Sequence, residues 1–351
     1  MIIDRKSHKR DLKFSITSYK GYEDEIVRML NANRLEPHSC QYQNWRYLDE
    51  ESPLPPVVFW LHSSKGDKIG MAALIFRTYW IGNKPFKFAV LGDISLNDKY
   101  RGKGVAKQLF KFMNSTIDKE SYSCAFVMPN TAAQKSLSGS GWKTEQYLVP
   151  FVYLLDVSDW IYDILKINTL ANLFGKLFRY FNGLKLAFKN TDGFSAEAVN
   201  DFDKSFDTFW VAFDKKNMII GDKSISTLDW RYKKHPAQKF SIYKLMYNDR
   251  FIGFIVYSES GDKVCSIYEF IVLNQKYIEP SMTAFIKKMN KTNSPKSIRI
   301  TLNERHPYAK ALRSAGFIKR KTEGVFQTYM PSGSDMQESF SWFIGSGDKD
   351  T

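Results

Sequence analysis

LGDISLNDKYRGKGVAKQLFKF, residues 91–112, is the stretch on which the reading of the fold turns. Its apolar opening reads as a strand ending near Leu96, followed by a short polar turn from Asn97 to Tyr100. Arg101-Gly102-Lys103-Gly104-Val105-Ala106 then opens a helix whose Val105, Leu109, Phe110 and Met113 fall on one side. A strand, a Gly-rich turn and a helix start together make a cradle for an anion. The first backbone N–H groups of a helix lack intrahelical partners, and the macrodipole adds partial positive charge there. Glycine lets the backbone approach a phosphate without a Cβ in the way and tolerates positive φ. Arg101, Lys103 and Lys107 add mobile cations.

Other phosphate loops fit less well. No G-x-x-x-x-G-K-[ST] run is present, and a dinucleotide G-x-G-x-x-G would need a glycine where Lys107 stands. Outward from the loop, a strand AFVMPN ends at Asn130, and a short helix closes on Gly141-Trp142. The same order of features recurs later in the chain. Trp45-Arg46-Tyr47 returns as Trp230-Arg231-Tyr232, each followed by a proline-containing turn. A strand pair with Gly70 or Gly253 in its second strand comes next, then an acid-bearing strand with Asp93 or Glu269. After a helix, the second copy reaches IRITLN, ending at Asn303, and closes on Gly316-Phe317. These recurrences predict two α/β domains with mixed sheets in tandem, residues 1–157 and 195–331.

The loop resembles the acyl-CoA pyrophosphate motif of the GNAT N-acetyltransferase superfamily, Arg/Gln-x-x-Gly-x-Gly/Ala, with Arg101, Gly104 and Ala106 on its defining positions. The resemblance covers most of the first repeat and, weakly, all of the second. It implies two GNAT-like domains and acetyl-CoA as co-substrate, cradled by Arg101, Gly102, Lys103, Gly104, Val105 and Ala106. The backbone of Ile94, Ser95 and Leu96 would bind the pantetheine arm and help polarise the thioester carbonyl, with Asn130 beside the arm. The reaction implied is direct attack of a primary amine on the thioester. An amine must be neutral to attack, so a base is needed. Asp93, on the cofactor strand and flanked by apolar residues that would raise its pKa, is the first candidate. The alternative is that Asp93 points away and caps a neighbouring element. The helix after Asn130, TAAQKSLSGSGWK, lacks the tyrosine that often serves as general acid, which leaves Ser136, Ser138 or water.

The second repeat departs from the motif. NQKYIEPSMTAF has no glycine, and Pro280 removes an N–H, so no acyl-CoA is expected there. Glu269, Arg231 and the Trp-Arg-Tyr elements then either line an acceptor site or form an aromatic anchor with a buried ion pair. The whole chain, with Trp342 ahead of Gly347-Asp348-Lys349-Asp350, resembles bacterial double-domain GNAT proteins. Several of these act in surface-polysaccharide or sugar-nucleotide pathways, which suggests an amino sugar or nucleotide-linked amino sugar as acceptor. A peptide, protein or polyamine amine is the second possibility, and a non-catalytic scaffold or membrane-surface protein the third.

Composition agrees. With 43% hydrophobic residues the chain has material for a core, and no run approaches a membrane span. Three scattered cysteines and no apolar leader fit a reduced, cytoplasmic protein, and neither they nor the five histidines have metal-ligand spacing. A net charge of +14 favours anionic partners such as coenzyme A and nucleotide sugars, but no nucleic-acid-binding signature accompanies it. Residues 158–194 read as a basic amphipathic connector. From Leu165 to Asn190 it has five cations, no acid, and Leu170, Leu173, Phe174, Leu177, Phe181, Leu184 and Phe188 at helical spacing. The expectation is a helix packed across both domains, with peripheral membrane contact as the alternative. The tail, residues 332–351, holds Phe340, Trp342 and Phe343 and is expected to dock on the body near the active cleft.

Overall fold

The computed structural model describes residues 12–34, 36–120, 122–292, 295–331 and 340–349. The first repeat runs β1 (Lys13–Ser18), α1 (Glu23–Asn31), α2 (Cys40–Tyr47), β2 (Val57–His62), β3 (Lys68–Ile81), β4 (Lys84–Leu96), α3 (Val105–Lys119), β5 (Cys124–Val127), α4 (Thr131–Ser138) and β6 (Lys143–Leu154). Two connector helices follow, α5 (Ser158–Leu165) and α6 (Asn168–Phe188). The second repeat opens with β7 (Phe194–Val199), α7 (Lys204–Ala212), β8 (Met218–Gly221), α8 (Ile225–Leu228), β9 (Ser241–Tyr247) and β10 (Arg250–Glu259). It continues with β11 (Val264–Val272), α9 (Ile278–Thr292), β12 (Ser297–Asn303), α10 (Ala309–Ala315), β13 (Ile318–Lys319) and β14 (Gly324–Tyr329). The tail adds β15 (Ser341–Phe343).

The repeat is real in three dimensions, and several of its sequence marks have a physical cause. Gly70 pairs with Leu96 and Gly253 with Val272. A Cβ at Gly70 would stand 2.8 Å from the Leu96 side chain, and one at Gly253 would run into the Ile271 carbonyl, so both strands need the bare backbone. Gly141 and Gly316 end α4 and α10 at φ 102° and 109°. Trp142 and Phe317 then return their amides to Leu137 and Leu312. A left-handed glycine closing a helix in this way frees the next residue to enter the core.

The two repeats are not separable at the expected boundary. The sheet runs β1-β2-β3-β4-β5-β14-β6-β12-β11-β10-β9-β7. β14, from the end of the second repeat, pairs antiparallel with β5 of the first. β6, from the end of the first, pairs antiparallel with β12 of the second, over seven residues from Ser297↔Leu154 to Asn303↔Leu148. The exchanged strands also pair with each other. Two α/β units therefore share one sheet, and the ranges 1–157 and 195–331 each lack a strand that the other supplies. Across the same pseudo-two-fold, Trp45 and Trp230 stack with ring centroids 5.1 Å apart. Each indole N–H donates to the other's main-chain carbonyl, at 2.9 and 3.0 Å.

Candidate active site

The site is built at a fork in the sheet. β4 and β5 run parallel from Phe88↔Cys124 to Val90↔Phe126 and then part. β4 continues against β3 as far as Leu96, with a bulge at Gly92, where Ala73 faces Asp93 and Leu74 faces Leu91. The Asn97 amide donates to Ile69, so by alternation Ser95 turns its main-chain groups to β3, and those of Ile94 and Leu96 face the fork. The Ser95 hydroxyl is turned to α1 instead, donating to the Met29 carbonyl at 2.9 Å.

Beyond the strand, the Asn97 side chain caps a tight turn at Asp98–Tyr100. Gly102 and Gly104 follow at φ 72° and 74°, and Val105 starts α3 with its side chain in the core. Gly104 has no side chain to satisfy the first amides of α3, which remain available to a ligand. Arg101 folds back over this turn: it donates to the Leu96 carbonyl at 3.1 Å and to Asn33 at 2.6 Å, and pairs with Asp98 at 2.8 Å. A cleft of about 1430 Å³ opens here. Ile94, Ser95, Leu96, Arg101, Gly102, Ala106 and Asn130 all line it. Lys103 lies exposed beside the Tyr100 ring. The Asn130 side chain accepts from the Ala133 amide and so caps α4. Ser136 lines the cleft, whereas Ser138 accepts a bond from Gln327 of β14 at 2.8 Å.

Asp93 is 6% exposed and held from four sides. Arg34 pairs with it at 2.6 Å and Arg46 at 3.0 Å; Tyr47 donates at 2.7 Å and Gln43 at 3.2 Å. Burial alone would push its pKa up, but Arg46, Arg34 and the two neutral donors outweigh it and hold the carboxyl below its usual value. The upward shift expected for a base is therefore not found. Glu269 has the matching environment: Lys223 at 2.7 Å and the Tyr232 hydroxyl at 2.6 Å. Burial opposes the charge of Lys223, yet Glu269 and Asp348 keep its pKa raised. Each acid thus meets the tyrosine of its Trp-Arg-Tyr tripeptide, and each follows a bulged residue, Gly92 or Tyr268. The tripeptides are aromatic anchors for a buried ion pair. Glu269 and Arg231, expected to line an acceptor site, instead lie under the tail, where Arg231 donates to the Gly347 carbonyl and Gly347 packs on Glu269.

The second fork differs decisively. β11 and β12 part after Ile267↔Ile300, and the tail fills the gap. The Asn303 amide donates to Ile344 at 3.0 Å, the Ile344 amide returns to the Asn303 side chain at 3.2 Å, and Leu302 bridges to Gly345. Trp342, Phe343 and Ile344 are buried, and β15 pairs with β8. The expected docking of the tail is realised for residues 340–349, whose Gly345, Ser346, Asp348 and Lys349 also reach the first-fork cleft. Residues 332–339 and Asp350 lie outside the described residues. The loop differs as well. In the second repeat the turn Gln275–Tyr277 passes straight into α9 at Ile278, with no counterpart of Arg101–Gly104.

Three site residues escaped the sequence reading. Arg34 and Asn33 follow α1 with no motif around them. Gln43 shares one face of α2 with Arg46 and Tyr47 of the repeated tripeptide, a three- and four-residue spacing that was legible.

Residues 24–137 match the family model "Acetyltransferase (GNAT) family". Among solved structures, the chain is similar to a probable N-acyltransferase from Enterococcus faecalis, with TM-score 0.65 and 10% identity over 91% of this chain and 72% of that one. It is also similar to a GCN5-related N-acetyltransferase from Anabaena variabilis, with TM-score 0.61 and 11% identity over 91% and 73%. A tandem GNAT protein from the clavulanic acid biosynthesis pathway aligns with TM-score 0.53 and 10% identity over 92% of this chain and all of that one. No curated protein sequence matches significantly. Residues 24–137 of the first repeat thus match the GNAT acetyltransferase family, and the chain as a whole has the fold of tandem GNAT proteins.

Proposed function

We propose that the chain moves an acetyl group from acetyl-CoA, held in the open fork of the first repeat, to the primary amine of an amino sugar, free or nucleotide-linked, entering from the second-repeat side of the cleft. The observation that carries this reading is the asymmetry of the forks: one opens into a large cleft under a Gly-rich helix start, the other is filled by the chain's own tail. The residues present fit the co-substrate. A Cβ built at Gly102 meets nothing within 4 Å, so the backbone there stands open to a phosphate. The α3 amides with Gly104 and Ala106 would receive the pyrophosphate, and the free main-chain groups of Ile94 the pantetheine arm and thioester carbonyl.

Asp93 then serves as a brace: its charge holds Arg34 at the cleft wall and Arg46 under the bulge, and the proton released by the acceptor leaves through water. The far wall supports a sugar acceptor. Tyr147 and Tyr268 offer aromatic faces, while Arg299, Thr301 and Glu323 offer charge and hydrogen bonds. The volume exceeds the roughly 300–1,000 Å³ of a single-ligand pocket, as two substrates require.

The test pairs thermal unfolding with a thiol-release assay. Acetyl-CoA at about 100 times its dissociation constant should add roughly 2.7 kcal/mol to stability, and amino sugars or their UDP- and dTDP-linked forms should release thiol. No shift at millimolar acetyl-CoA overturns the co-substrate assignment. Turnover confined to polyamines or lysine peptides overturns the acceptor assignment alone.

A further inference from the structure

The connector helices are built inside out. A helix lying on a globular body normally turns its apolar stripe inward. In α6 the side facing the body is narrow and mostly small or polar. Ala171, Gly175 and Leu186 are buried, Asn182 accepts from Tyr153 at 2.8 Å, and Arg179 pairs with Asp156 at 2.6 Å. At about 100° per residue, Leu170, Leu173, Phe174, Leu177, Phe181, Leu184 and Phe188 fall together on the nearly opposite side. They face outward, Phe181 62% and Phe188 89% exposed. α5 packs along α6 and adds Trp160, 67% exposed, and Ile164, 61%. The packing across both domains expected of this apolar stripe is thus not what holds α6. An apolar face of this extent is rare on a monomer unless something covers it.

The charges identify the cover. Lys176 and Lys185 fall at the two edges of the apolar face; the two acids of α5 are paired, Asp159 with Lys296 at 2.6 Å and Asp163 with Lys166 at 3.3 Å. Between Leu165 and Asn190 there is no acidic residue. A second copy laid on this face would bring cations against cations around a dry centre, which disfavours pairing. A bilayer with anionic headgroups accepts the apolar side chains at its acyl boundary and the rim lysines at its phosphates. No helix among the described residues is long and apolar enough to cross the bilayer, so contact is at the surface. We propose that the α5–α6 hairpin docks the protein on membranes rich in anionic lipid.

The test is co-sedimentation of the full chain with vesicles of phosphatidylcholine alone and of phosphatidylcholine with phosphatidylglycerol. Wild-type protein should pellet with the anionic vesicles, less so as salt rises, and stay in the supernatant with the neutral ones. Leu177→Gln/Phe181→Gln/Phe188→Gln replaces side chains that face outward. It should keep the wild-type melting curve and lower the anionic-vesicle partition coefficient at least about tenfold. Lys176→Glu/Lys185→Glu should also weaken binding. Wild-type protein in the supernatant at every lipid composition overturns the proposal, as does a triple variant that pellets like wild type. A dimer seen by light scattering, abolished by the triple variant and unaccompanied by vesicle binding, would assign the face to a second copy instead.

Discussion

Replacing Asp93 with asparagine keeps the shape of the side chain and removes its charge from between Arg46 and Arg34. Arg46 is 2% exposed, so nothing but protein is left to compensate it. Removing one partner of a buried pair generally costs about 3–5 kcal/mol. At roughly 2.1 cal/mol/K of unfolding entropy per residue, 351 residues give about 0.7 kcal/mol/K, so Tm should fall by about 4–7 °C. The pH dependence has a definite sign. The folded carboxyl titrates below its unfolded value, so its contribution is fully present above the ordinary aspartate pKa of about 3.9 and is lost as pH falls through the folded value. The gap in Tm between wild type and variant should therefore be flat from about pH 5 to pH 8 and close on further acidification. Calorimetry across that range measures it, and a thiol-release pH profile on the same proteins measures the second consequence: the acid limb of turnover should stay where it is in the variant. A Tm unchanged by the substitution, together with loss of the acid limb, would refute the brace and restore Asp93 as the base.

Gly104→Glu places a side chain at φ 74° and a negative charge at the start of α3. It should abolish stabilisation by acetyl-CoA in a thermal-shift titration; retained affinity would show that the pyrophosphate lies elsewhere. Residues 1–157 expressed alone lack β14 and leave β5 and β6 with open edges. That fragment should aggregate or melt without cooperativity, and co-expression with residues 158–351 should rescue it. A monomeric, cooperatively melting 1–157 would refute the view that the exchanged strand is essential.

The sequence by itself determined what depends on near neighbours. The Gly-x-Gly turn entering an amphipathic helix and the glycines closing α4 and α10 are encoded within a few residues, and their chemistry follows from backbone geometry alone. The order of features exposed the tandem repeat, because each repeat builds the same local units. Tertiary structure decided whatever rests on partners far along the chain. β14 reaches β5 across some two hundred residues, and only that exchange shows that the repeats share a sheet. Asp93 lies in an apolar stretch that suggests a raised pKa, yet Arg34, Gln43, Arg46 and Tyr47 arrive from other elements and reverse the direction. Periodicity marked the apolar face of α6 but not its orientation, because 3.6-residue spacing places side chains on one side of a helix without saying whether that side meets protein, lipid or water. The tail could be read as docking from its aromatics; that it fills the second fork follows from the gap between β11 and β12, which exists only once the sheet has formed.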